Sequence, residues 1–471
     1  MPRKYRIPTI MAPPRFPPVG KYAVVESRED CAGSCRNCVK KNCVYNTFGE
    51  DYRHWEMITE PEYLYSCLGC FRCVQECTRG IFSRVVNPDY RTLGDGYWRP
   101  EIIHKTWYQA HTGRIPVSGA GYRGPFVGEG FDSMWTDMSE IVRPTRDGIH
   151  GREYINTTVE LSRRLTRLEF GQDLSLLSDP PPILEVPLPL LLERPSFGVL
   201  GENVLLAMAG AARSLGTMML VQPEDCTGPL ARYVDDFIPC LTRDNLHEYT
   251  EVVRNTRMVE LADQPGVEEG IAGLRTLRHD LCVSVSIPLN KRAASRALEL
   301  ARSDVDTLRF CADSHGNELD TPEPRFLKEM IREVHLGLVR AGLRQKLNLV
   351  FSGGIAMAEH MAKAMLCGAD AVTIDLPLLV ALECRLCDRC IEGLPCPVRL
   401  EEIDPEWGCQ RILNLVGAWR NQLIEVMGAM GIREARRLRG EVGRSLWFED
   451  LERESFGPLF GERKVKEPAS R

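Results

Sequence analysis

The stretch VDTLRFCADSHGNELDTPEPRFLKEMIREVHLGLVRAGLRQKLNLVFSGG (305–354) decides the fold. It opens on a short apolar run, VDTLRFC (305–311), passes through a polar turn, and continues as PRFLKEMIREVHLGLVRAG (324–342), where apolar residues recur at helical spacing. A second apolar run, LNLVF (347–351), follows. This is the pattern of a strand, a crossover helix and a parallel strand. The rhythm repeats on both sides: ILEVPL (183–188), TMMLV (217–221), YVDDFIP (233–239), RMVEL (257–261), LCVSVSI (281–287) and AVTID (371–375) complete eight strand candidates. Between them stand helix candidates such as ENVLLAMAGAARSL (202–215) and DNLHEYTEVVRN (244–255). Repeated strand–helix units of this number predict a parallel α/β architecture, a (β/α)8 barrel in preference to an open sheet.

Composition bounds the partners. With 471 residues, 44% hydrophobic and 26% charged, the chain is long enough for a large folded domain with smaller appendages. Lys plus Arg number 59 against 65 Asp plus Glu, so the net charge of −6 lacks the basic footprint of a nucleic-acid binder. No apolar run is long enough to span a membrane, and prolines interrupt the N-terminus where a signal peptide needs an apolar core. The expectation is a cytoplasmic protein, in which clustered members of the 18 cysteines serve as metal ligands rather than disulfides.

Three cysteine runs stand out. CAGSCRNCVKKNC supplies Cys31, Cys35, Cys38 and Cys43, and CLGCFRCVQEC supplies Cys67, Cys70, Cys73 and Cys77. The second has the C-x2-C-x2-C-x3-C spacing of a bacterial-ferredoxin site, and the first is a loosened copy. Three thiolates of one run with the last of the other hold each cubane in such pairs. Cys31, Cys35, Cys38 and Cys77 are therefore expected on one [4Fe-4S] cluster, and Cys67, Cys70, Cys73 and Cys43 on the other. Thr78 follows where proline is usual, a change of little weight for ligation. Zinc, also held by C-x2-C pairs, is the competing occupant. The third run, ECRLCDRCIEGLPCPVRL (383–400), places Cys384, Cys387, Cys390 and Cys396 just beyond the last strand candidate.

The chain accordingly divides into a proline-rich arm (1–20), lying on a partner or on the domain that follows, a ferredoxin-like domain (21–90), a connecting segment (91–180), the barrel with a third cluster site (181–400), and a C-terminal helical segment and tail (401–471). Within the connecting segment Gly119, Gly121 and Gly124 form a literal G-x-G-x-x-G, but Pro125 follows at once, and a glycine-rich turn is the better reading. Cys226, Cys240, Cys282, Cys311, Cys367 and Cys409 are isolated and expected in core packing.

SGAGYRGPF (118–126), FDSMWTDMSEIVRPTRDGIHGREYINTTVEL (131–161) and SGGIAMAEHMAKAMLCGADAVTIDLPLLVALECRLCDRCIEGLPCP (352–397) resemble the synthase part of glutamate synthase, in the archaeal-type form with a ferredoxin-like insert. The resemblance implies FMN in the barrel, with a cluster beside it, reducing an imine of 2-oxoglutarate and ammonia. By that resemblance Ser196 and Gly198, with Ser352, Gly353 and Gly354, are the FMN-contacting candidates. The family's barrel cluster is a three-iron one; Cys384, Cys390 and Cys396 match its ligands, and Cys387 adds a thiol that permits [4Fe-4S] in place of [3Fe-4S].

Departures from the family cluster around the substrate side. Asp375 and Leu376 replace a glycine–threonine pair after strand eight, Ser286 replaces a lysine on strand five, and QPEDCTG (222–228) and DSHGNELD (313–320) replace glycine-rich loops. No catalytic residue is assignable. His315 reads as a loop residue rather than a proton donor, and the charged stretch from Asp137 to Glu153 reads as a tie between connecting segment and barrel. The expected function is an iron–sulfur oxidoreductase acting on CH–NH2 groups, fed by a ferredoxin or a flavoprotein subunit within a multi-subunit complex. The alternative is a barrel that has lost flavin or substrate and serves as an electron-transfer scaffold.

Overall fold

The computed structural model describes residues 5–16, 19–26, 31, 35, 38–44, 70–115, 129–136, 155–163, 168–177, 182–196, 198 and 200–461. Cys67, Phe197, the 119–124 glycines and the charged stretch 137–153 lie outside them.

β1 (Tyr22–Glu26) pairs antiparallel with β2 (Phe82–Val86), closing the cysteine-rich segment at its base, and α1 (Arg72–Glu76) lies between them in sequence. α2 (Pro100–Thr112) follows, started by its proline and ended by Gly113 in the left-handed region. β3 (Met134–Thr136) later pairs with a strand near the C-terminus, and β4 (Val159–Glu160) pairs with β5 (Glu185–Val186).

The barrel is built from β6 (Leu190–Glu193), α3 (Glu202–Leu215), β7 (Met219–Val221), β8 (Phe237–Leu241), α4 (Thr250–Asn255), β9 (Met258–Ala262), α5 (Val267–Leu277), β10 (Cys282–Pro288), α6 (Ala293–Leu300), β11 (Thr307–Cys311), α7 (Leu327–Arg340), β12 (Asn348–Ser352), α8 (Ala358–Cys367), β13 (Ala371–Ile374) and α9 (Leu376–Ala381). All eight strands are parallel and run in chain order round a closed ring, β13 pairing with β6 through Val372 opposite Leu190. The expected (β/α)8 barrel is the fold.

Three elements differ from the sequence expectation. The first barrel strand is 190–193, not 183–188. Pro187 and Pro189 share one side of the chain and cannot donate to a ladder there, so the interior strand begins only after them. Pro189 still accepts from Val372 N at 3.1 Å. The third strand is shifted from 233–239 to 237–241, since Asp235 and Asp236 belong outside; Asp236 meets Arg213 at 2.8 Å. Helix 244–255 forms only from Thr250, because Thr242 and Asn245 exchange side-chain-to-backbone hydrogen bonds at 2.8 and 3.3 Å and hold a turn.

α10 (Pro405–Ala429) is the long C-terminal helix. Asp404 caps it, accepting from Trp407 N at 3.1 Å. It packs on α3, α2 and α8, with Trp419 buried and its indole donating to Gln109 at 3.2 Å. Within its described residues the proline-rich arm does not project. It lies along α10: Asn414 exchanges two bonds with Ile10, 3.1 and 2.7 Å, and Gln410 donates to the Pro8 carbonyl at 3.2 Å. Gly417 makes this approach possible, for a Cβ there would stand 2.7 Å from Thr9.

Candidate functional site at the barrel mouth

Side chains alternate along a strand, so every second residue of a barrel strand faces inward. Here that interior is not wholly apolar. Arg309 on β11 reaches Glu260 on β9 with both Nε and NH2, at 2.8 and 2.6 Å, a fork-on-carboxylate pair. Its NH1 reaches Glu193 at the end of β6 at 2.8 Å and the Ser352 hydroxyl on β12 at 3.1 Å. Thr373 on β13 donates to Glu193 at 2.5 Å, Ser284 on β10 to Glu260 at 3.3 Å, and the Cys240 thiol on β8 lies 3.6 Å from Glu260. Seven of the eight strands thus meet in one polar network. Burial disfavours the guanidinium, but Cys311, Glu193 and Glu260 outweigh it and hold Arg309 charged. Burial, with Glu260 next, raises Cys240; burial, joined by Glu193 and Glu260, takes Cys311 up to about 11 against the pull of Arg309. These two cysteines were expected in apolar surroundings and instead line the network.

The network was missed in the sequence reading, although its signal is there. The strands MVELA (258–262), TLRFC (307–311) and LLLE (190–193) each place one charge inside or at the end of an apolar run. Opposite charges on inward positions of nearby strands are what a buried ion pair looks like in sequence.

Above the network sit the candidate FMN residues. Ser352 is engaged by Arg309. Gly353 and Gly354 turn through φ of +91° and +65°, and a Cβ on Gly353 would stand 2.3 Å from the Asp313 carbonyl, so only glycine lets this turn close on the strand-six loop. The N–H groups of Gly353, Gly354 and Ile355 donate to nothing among the described residues, although Gly354 and Ile355 are buried. Unused amides in such a turn form a nest for an anion. Ser196 is exposed, and Gly198, at φ +107°, packs its α-carbon side against Leu379 of α9. Asp375 stands at the start of α9. Burial and the neighbouring Glu193 push its carboxyl up to about 6, against the Leu376 N–H and Arg309. The strand-seven half of the cradle therefore fits a phosphate, while the strand-eight half presents a carboxyl group that suits one only when protonated. Ser286 bonds the Leu261 carbonyl at 3.4 Å.

The loop Glu383–Arg399 leaves α9 at the same mouth. Glu383, Leu386, Asp388 and Arg399 all have positive φ, between 44° and 78°, a conformation that costs about 1–2 kcal/mol for each non-glycine residue. The Leu386 N–H points at the Cys384 sulfur at 3.5 Å, an amide-to-sulfur contact of the kind that tunes cluster thiolates. Burial pushes the Cys384 thiol up to about 12, with smaller contributions from Cys396, Cys387 and Cys390 and the Leu386 N–H opposing. Among the described residues no three Cys, His, Asp or Glu groups close on a single-ion site. Cubane thiolates surround four irons rather than one. In the N-terminal segment the charge of exposed Arg72 is favoured by Glu76 first, with small contributions from Cys70 and Cys43.

The connecting segment is locked onto this mouth. Tyr97 OH donates to the Gly354 carbonyl, Trp98 Nε1 to Ser314 at 2.9 Å, and His315 Nε2 meets Asp95 at 2.7 Å. His315 is thereby a tie between segments. Gly94 N reaches the Arg385 carbonyl, inside the cysteine loop, at 3.1 Å.

Residues 326–433, from the helix before strand seven to the C-terminal helix, match the conserved region in glutamate synthase. The chain resembles the archaeal-type glutamate synthases along most of its length. It is 24% identical to the archaeal-type glutamate synthase [NADPH] of Dehalococcoides mccartyi, over 88% of this chain and 93% of that one. To the archaeal glutamate synthase [NADPH] of Archaeoglobus fulgidus it is 25% identical, over 92% and 96%. Among solved structures, a mandelate oxidase mutant with an FMN adduct aligns with a TM-score of 0.40 and 18% identity, over 62% of this chain and 88% of that one. A score at that level adds nothing to the barrel already evident from its strand pairing. No helix among the described residues is long and apolar enough to cross a membrane.

Proposed function

We propose that this chain is an iron–sulfur oxidoreductase subunit of the glutamate synthase type, acting in the cytoplasm within a multi-subunit complex. Cys31, Cys35, Cys38 and Cys77, and Cys67, Cys70, Cys73 and Cys43, hold two [4Fe-4S] clusters that receive electrons from a ferredoxin or a flavoprotein subunit. Cys384, Cys387, Cys390 and Cys396 hold a third, [4Fe-4S] in preference to [3Fe-4S]. The observation that carries the reading is the loop after strand eight: four thiols, an amide aimed at one sulfur, and four non-glycine residues in the left-handed region.

Ser352, Gly353, Gly354 and the Ile355 amide would hold the phosphate of FMN on the strand-seven side, with Ser196 and Gly198 on the strand-one side. Bound there, FMN would supply hydride transfer to an imine of 2-oxoglutarate or a related acceptor. The chain's own part is to orient and to exclude water. Arg309 fixes Ser352 and Glu193 below the cradle, and the Tyr97–Trp98 segment covers the strand-six and strand-seven loops. Asp375, raised to about 6 by burial and Glu193, stands at the cradle's other side and would admit an anion beside it only when protonated.

A second reading, an electron-transfer scaffold without flavin, is favoured by that same Asp375. Anaerobically purified protein separates them. About one FMN with about twelve irons per chain, and glutamate formed from 2-oxoglutarate and ammonia with reduced ferredoxin, supports the enzyme. About twelve irons with no flavin, and none taken up from added FMN, leaves the scaffold. Zinc in place of iron ends both.

A further inference from the structure

The arm meets the cysteine loop chiefly through Arg15, with the Phe16 backbone also acting on Glu383. Arg15 N donates to Glu383 Oε1 at 2.7 Å, and its Nε lies 3.5 Å from the other oxygen of that carboxylate. Glu383 immediately precedes Cys384. The same guanidinium donates through NH2 to the Val398 carbonyl at 2.6 Å and through NH1 to the Arg399 carbonyl at 3.3 Å, just beyond Cys396 and Pro397. One side chain thus joins the start of the loop to its end. Both ends need holding: Glu383 and Arg399 have φ of +78° and +44°. Glu383 is buried, and burial raises its carboxyl despite Arg411 and Arg15.

The arm itself is anchored independently. Trp407 Nε1 donates to the Pro13 carbonyl at 2.9 Å, and its ring lies under the Arg15 guanidinium at 5.0 Å. Fully buried Arg411 spans the Ala12 carbonyl at 3.0 Å and the Ala381 carbonyl at 2.6 Å, tying arm to α9. A planar fork can grip two successive carbonyls and a carboxylate at once, which an ammonium cannot.

We propose that Arg15 is a positioning residue for the barrel cluster: it clamps the two ends of the 384–396 loop and fixes a positive charge beside it. The inference rests on reading that loop as a cluster site. It gives the proline-rich arm a redox role, although the arm carries no ligand.

The test uses the full chain, purified without oxygen, as wild type, Arg15→Ala, Arg15→Lys and Cys390→Ala. Loss of charge-assisted hydrogen bonds in Arg15→Ala should speed chelator bleaching of the barrel cluster on the order of tenfold. It should also lower that cluster's midpoint potential, followed by electron paramagnetic resonance, while the N-terminal pair keeps its potentials. Arg15→Lys should restore the potential but not the slow bleaching. Trp407→Phe, which keeps the ring but drops the bond to Pro13, should speed bleaching without moving the potential. Arg15→Ala with wild-type bleaching and potential overturns the clamp. Cys390→Ala with the wild-type iron content instead removes the cluster reading, and the clamp with it.

Discussion

Removing the Arg309 guanidinium leaves Glu260, buried at 1% exposure, facing Ser284 and a thiol. A buried charge stripped of its partner costs about 3–5 kcal/mol, far more than the pair contributes over an apolar substitute. Arg309→Met should therefore destabilise by about that amount in a denaturant titration, and adding Glu260→Gln should recover much of it. Equal stability of the single and double variants would show that the network is solvated. Asp375 makes a different prediction. Its carboxyl titrates near 6 in the folded chain against an ordinary 3.8, so the native state binds the extra proton between those values. Stability from this group is full below about 3.8 and declines as pH rises towards and through 6. Asp375→Asn should raise the melting temperature at pH 7–8 relative to wild type, with the gain vanishing near pH 4. A gain independent of pH would mean that the carboxyl does not titrate in that window.

Elements were legible wherever periodicity and punctuation agreed. ENVLLAMAGAARSL is followed by Gly216 in the left-handed region, and the helix spans 202–215 as its pattern states. The barrel strands 282–288, 307–311, 348–352 and 371–374 fall within a residue or two of their apolar runs. Legibility failed where side chains override the local pattern: the alternating prolines before β6, the paired aspartates before β8, and the Thr242–Asn245 turn. The arm's resting place was not legible, because a proline-rich segment has no period of its own and its partners lie some 400 residues away, as in the bond from Asn414 to Ile10. On α10, Trp419 fills the seam with α2. Trp419→Ala should cost about 3–5 kcal/mol, measured by denaturant titration, because the cavity lies between two long helices that cannot collapse together. A loss under about 1 kcal/mol would mean that the seam closes or admits water.

At the scale of the whole molecule, three cysteine runs were readable from spacing, while the polar network inside the barrel was not, since no motif announces a charge that folding turns inward. On the proposed reading the three runs would serve one electron path. The N-terminal segment is closed by the β1–β2 ladder and continues through Asp95–Trp98 to the barrel mouth, where Gly94 touches the cysteine loop at Arg385. Cluster loss at the two ends should then have unequal effects. Cys390→Ala should lower iron from about twelve to about eight per chain and leave a spin-coupled pair of clusters that a reduced ferredoxin still fills. Cys38→Ala should disturb that pair, keep the barrel cluster reducible by dithionite, and abolish its fast reduction by ferredoxin. Fast ferredoxin reduction of the barrel cluster in Cys38→Ala would show that electrons reach the mouth directly, and that the N-terminal clusters serve another exchange.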